Sequence, residues 1–117
     1  MKTLIAAVLL TVSTMAHADT TYSQIVSKQQ MCSDVGDVVA LYAGMTQDQR
    51  EARIGEYKNF LINSGIDPDS QKGKNMFQMN LFQILAAGRM TGSPHQIKMR
   101  AWAECMDGGL LSPERFR

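Results

Sequence analysis

The chain has 117 residues, with 12 Lys and Arg against 11 Asp and Glu, for a formal net charge of +1. So even a balance excludes the basic face that nucleic acid demands and a polybasic attachment to anionic lipid. The length admits one domain of ordinary size with a modest core.

The N-terminus has the three-part layout of a cleavable secretory signal. Lys2 supplies a short positive region, Leu4 to Leu10 an apolar run extended by Thr11 and Val12, and Ala16-His17-Ala18 the small residues of a cleavage site before Asp19. The apolar run is well short of the roughly 18–20 residues that span a bilayer. Residues 1–18 carry one charge, Lys2, so cleavage leaves 99 residues with 11 basic and 11 acidic side chains. No later stretch is apolar for long enough to cross a membrane, and no Cys follows the cut to take a lipid. Residues 19–117 are therefore expected to form a single helical domain, periplasmic or secreted.

Four helices can be read in order. The first is expected from about Tyr22 to Ala43, where Ile25, Cys32, Val35, Val39 and Tyr42 recur at helical spacing. Gly36 lies inside it, a mild cost unless another backbone packs close by, and Gly44 follows as a stop. Thr46-Gln47-Asp48-Gln49 fits a capping box opening a second helix over 47–63. Ile54, Tyr57 and Leu61 line one face of that helix, widened by Phe60, and Gly65 with Ile66 closes it.

Asp67-Pro68 has the form of a cap and a first-turn proline. The third helix is expected over 68–87, with Gly73 able to delay its start to about Lys74. Phe77, Leu81, Ile84 and Leu85 form its apolar stripe. Ser93-Pro94-His95-Gln96 joins a cap, a first-turn proline and a capping-box Gln, and predicts a fourth helix over 94–106 with Ile97, Ala101 and Cys105 on one side. Leu110 and Leu111 are expected against the bundle, and 112–117 as a frayed tail. No segment alternates with period two for long enough to need a strand, so the fold class is all-α, a compact bundle of about four helices.

Two cysteines, Cys32 and Cys105, leave one pairing. In an exported protein that pairing is a disulfide, here joining the first and last helices. Two thiolates with no nearby His would make a poor metal site.

The cysteine neighbourhoods, Cys32-Ser33-Asp34-Val35-Gly36 and Ser93-Pro94 through Cys105-Met106, resemble small exported helical two-cysteine proteins of proteobacteria. The resemblance covers the first and fourth helices and implies export and an all-helical fold. It carries no mechanism with it. The chain departs from that pattern at Ala43-Gly44-Met45, where an Arg-Asp turn is expected.

Catalytic sets are sparse. The one His after the cleavage site, His95, sits in a first helical turn with no nucleophile in a Gly-x-Ser-x-Gly setting. Of the carboxylates, Glu51 and Glu56 are five apart and share a helix face poorly. Glu104 and Asp107, three apart, are the candidates for acid–base work on a glycan. Met76 and Met79 put two thioethers three residues apart on a helix, the only Met pair suited to Cu(I). No cofactor is implied. Arg89, Arg100 and Trp102 are the residue types of binding hot spots and form a candidate partner patch. The expectation is a non-catalytic module that binds another envelope or secreted protein as an inhibitor, immunity-type protein or adaptor. A small glycan-acting hydrolase and a Met-based copper-handling protein are the alternatives.

Overall fold

The computed structural model describes residues 25–116. The expected signal peptide over 1–18, the expected cut before Asp19 and the expected helix start at Tyr22 lie outside the described residues. The chain divides into two compact units, 1–30 and 31–117. Of the first, residues 25–30 are helical, with Ile25 and Val26 exposed. The second holds four helices and the disulfide.

Helix α1 covers 25–43. Within the second unit it buries Cys32, Val35 and Val39, positions that share one side of a helix. Helix α4, Pro94–Met106, opens as the sequence predicts. Ser93 Oγ accepts from the Gln96 amide at 3.2 Å, Gln96 Oε1 accepts from the Ser93 amide at 2.9 Å, and Pro94 fills the first turn. Its inner side is Ile97, Ala101 and Cys105. Cys32 and Cys105 are joined, with Cα atoms 5.5 Å apart and both side chains fully buried.

A second contact shows why Gly36 is tolerated mid-helix. A Cβ added there would lie 2.8 Å from the Lys98 carbonyl oxygen, so only glycine lets the two backbones approach so closely. Lys98 Nζ also reaches Asp37 Oδ1 at 2.7 Å. Position 32 meets 105 and position 36 meets 98, so α1 and α4 run antiparallel.

Helix α2, Gln47–Asn63, also matches its predicted bounds. Thr46 and Gln49 form the reciprocal capping box at 3.2 and 2.9 Å. Gly65 takes a φ of 76° at the far end, and the Ile66 amide donates to Leu61 while the Gly65 amide donates to Ile62, the paired bonds of a Schellman cap. Arg50 reaches back to α1: its Nη1 donates to the carbonyls of Tyr42 and Met45. It thereby ties the start of α2 to the end of α1, as a second donor to the Tyr42 carbonyl, which also accepts from the Met45 amide at 3.1 Å.

Three expectations are corrected, two of them in helix α3, Gln71–Arg89. It does not begin at Pro68. Asp67 Oδ1 accepts from the Asp69 amide at 2.9 Å and the Ser70 amide donates back to the Asp67 carbonyl at 3.1 Å, so 67–70 close a turn first. Ser70 is then the cap, accepting from the Gly73 amide at 3.0 Å. Gly73 does not delay the helix; it is the third residue in it. A Cβ there would overlap the Asp67 carbonyl, so the glycine makes room for the turn to fold onto the first turn of α3.

The predicted stripe of α3 holds at Ile84, which is buried, and at Phe77 and Leu81, which are half-buried, but not at Leu85. Leu85 is 49% exposed, whereas Asn80, Gln83, Ile84, Ala86 and Ala87 are buried. Asn80 is satisfied there, its Nδ2 donating to the Tyr42 hydroxyl at 2.9 Å. The two alanines leave room for neighbouring side chains, and the main core joins them to Cys32, Val35, Val39, Ile97, Ala101, Cys105 and Leu111.

The third correction concerns the tail. The Gly109 amide donates to Glu104 and the Gly108 amide to Cys105, closing α4 with Gly108 at a φ of 75°. Leu111 and Ser112 are then buried, while Leu110 stays exposed. Pro113–Phe116 forms a 3-10 turn, with Phe116 against Phe82 at 5.6 Å between ring centres and Arg115 Nε donating to the Gly108 carbonyl at 2.8 Å. A segment with a buried leucine and a ring contact is docked rather than frayed. Among the described residues no strand occurs, and no helix is long and apolar enough to cross a membrane.

Candidate binding surface

Helices α2 and α3 run antiparallel. Arg50 near the start of α2 approaches Gly88 near the end of α3, and Tyr57 meets Phe77 between them. Their packing is unlike that of α1 against α4. Only Leu61 of α2 is fully buried, while Phe60 and Ile62 beside it are 54% and 58% exposed. Two apart on the helix, they lie on different faces of it, one on each side of Leu61, and each leaves apolar area uncovered, Phe60 on the side it shares with Tyr57.

A chain of rings organises this surface. Tyr57 lies 5.3 Å from Phe60 and 6.2 Å from Phe77, in tilted arrangements that suit ring quadrupoles. Burial lifts the Tyr57 phenol above its ordinary range, and the nearby Tyr42 adds to the lift.

Two grooves open on either side. One, of about 250 Å³, is lined by Tyr42, Arg53, Glu56, Tyr57 and Phe60. Its charges cancel, because Arg53 Nη1 and Glu56 Oε2 pair at 3.2 Å on the exposed side of α2. The other, of about 400 Å³, lies between α2 and α3 and is lined by Lys58, Leu61, Pro68, Asp69, Lys74, Phe77, Gln78 and Leu81. Its lining carries two cations and one carboxylate. The first is smaller than typical small-molecule sites, roughly 300–1,000 Å³, and the second, at about 400 Å³, falls at their low end.

The residues singled out from sequence sit elsewhere. Arg89 is exposed in the last turn of α3, Arg100 is exposed on α4, and Trp102 is half-buried against the main core. Arg100 and Trp102 are two apart on a helix and so lie on different faces of it. None of the three lines either groove. Cys32 and Cys105 serve the scaffold, with no thiol free for chemistry. Of the carboxylates, Glu104 is half-buried and Asp107 caps the end of α4, while His95 is exposed.

Met76 and Met79 do come together. They line a cleft of about 360 Å³ with Lys72, Asn75, Pro113 and Phe116. The two thioethers have no third soft ligand in that lining. Among the described residues, no group of three or more His, Cys, Asp or Glu is placed to hold a metal ion.

Sequence reasoning missed both grooves because each needs two segments brought together, Tyr42 of α1 with α2 in one and α2 with α3 in the other. The available hint was the crowding of Tyr57, Phe60, Leu61 and Ile62 into six residues, more apolar bulk than one helix face can bury. No family model matches the chain, and no curated protein or solved structure matches it either.

Proposed function

We propose that the protein works outside the cytoplasm, in the periplasm or as a secreted protein, as a non-catalytic module that binds another envelope or secreted protein. An inhibitor, an immunity-type protein and an adaptor all fit this description. The observation that carries the reading is the unequal burial of α2, one side chain fully covered and two large neighbours over half exposed. A helix of this kind gains by docking its remaining apolar surface on a partner. The buried disulfide supports the compartment, since such bonds persist where the surroundings are oxidising. It also supports the role: a scaffold held by a covalent tie presents its surface with little loss of freedom on binding.

The test is capture from periplasmic extract by the oxidised protein, run beside Phe60→Asp and Ile62→Asp. The expected result is one protein recovered by the parent chain and lost from at least one variant of unchanged melting temperature. Recovery of no specific protein, or equal recovery by both variants, contradicts the reading.

A further inference from the structure

We infer that the groove between α2 and α3 is a binding site for a single-chain fatty carboxylate. This is separate from the protein-binding reading and stands or falls on its own test.

Four features carry it. The first is the floor: Leu61, fully buried, lies with Phe77 and Leu81 along a trough set by two antiparallel helices. Apolar surface continues beyond it at the open end, away from the connecting turn, where Leu85, one turn on from Leu81 along α3, is exposed. A trough of this form suits an acyl chain, whose burial is favourable at every CH₂ removed from water.

The second is the rim. Lys58 and Lys74 both line the groove, and neither forms an ion pair with another described residue. The aromatic groove differs, for its one cation is already matched by Glu56. The third is the charge balance. Two ammonium groups against Asp69 leave one positive charge in the lining, which a monoanionic head group neutralises.

The fourth is the closed end. Pro68 and Asp69 belong to the turn that joins the two helices, and that turn is folded down onto α3 at Gly73. A partner helix laid along the trough would run into it. A flexible chain with one charged end meets no such obstacle.

The experiment is a titration of the oxidised protein with laurate below its micelle-forming concentration, followed by amide chemical shifts. Dodecyltrimethylammonium serves as the cationic control, and an acidic amphipathic peptide as the competing occupant. The expected result is saturable one-to-one binding of laurate, with shifts centred on Leu61, Phe77 and Leu81. Lys58→Glu and Lys74→Glu, both on the surface, should each weaken it by about tenfold with melting temperature unchanged. Any of four results overturns the proposal: no saturable binding of laurate, equal binding of the cation, affinity unmoved by both charge reversals, or saturation of these amides by the peptide and not by laurate.

Discussion

Removing the Cys32–Cys105 bond is the perturbation with the largest calculable effect. The bond closes a loop with a sequence separation of 73. Loop-closure entropy then gives about 4.4 kcal/mol of stabilisation at 25 °C, acting mainly by restricting the unfolded chain. Unfolding a unit of roughly 90 residues carries an entropy near 0.19 kcal/mol/K, so the loss corresponds to a fall in Tm of about 20–25 °C. Replacing both cysteines by alanine also leaves space in a fully buried site, which adds to the loss rather than offsetting it. The assay is a thermal melt of the oxidised protein beside the Cys32→Ala/Cys105→Ala variant, followed by helical circular dichroism. A companion measurement uses a thiol reagent: with both sulfurs inaccessible, reductant should release two titratable thiols rapidly only when denaturant is present. A fall in Tm below about 5 °C, or fast reduction of the native protein, would refute the view that this tie holds α1 to α4.

Three further outcomes follow from particular contacts. Gly73→Ala should destabilise by about 1–3 kcal/mol, the usual range for overpacking, because its Cβ would meet the Asp67 backbone; urea unfolding of the variant measures it. Ser112 Oγ is buried with no hydrogen-bond partner, so Ser112→Ala should leave stability unchanged or raise it by up to about 1 kcal/mol, read from the same urea curves. The Tyr57 phenol, raised above its unfolded value of about 10, contributes stability that is complete below pH 10 and is lost as pH climbs through the folded value, because the unfolded chain gives up its proton first. Melts between pH 8 and 11.5 should show that decline in the parent chain and a shallower one in Tyr57→Phe.

The parts of the fold written in local chemistry were legible. Thr46 with Gln49, and Ser93-Pro94 with Gln96, are complete capping signals within four residues, and the bounds of α2 and α4 follow from them. The start of α3 was not, because Asp67-Pro68 and Ser70 are both plausible caps. The choice is made by a turn that packs on Gly73, a contact no window of sequence contains. The orientation of α3 was hidden for a similar reason. Asn80 is buried because Tyr42, 38 residues earlier, brings its hydroxyl there, and Leu85 yields the inner side to alanines that fit closer to their neighbours.

The tail was misjudged because Phe116 finds Phe82 across the fold. The disulfide needed only a count of cysteines and a compartment. The binding surface needed the pairing of α2 with α3. Arg89, Arg100 and Trp102 are residue types common in binding hot spots, and residue type alone does not tell where two helices leave a groove.

The claim on which the account turns is that this is an exported scaffold tied by its two sulfurs. Intact-mass measurement on the protein isolated from its native cells, without reductant, tests it most directly. The account predicts a chain beginning at Asp19, two mass units lighter than its reduced form. A full-length chain carrying its leader and two free thiols would contradict it.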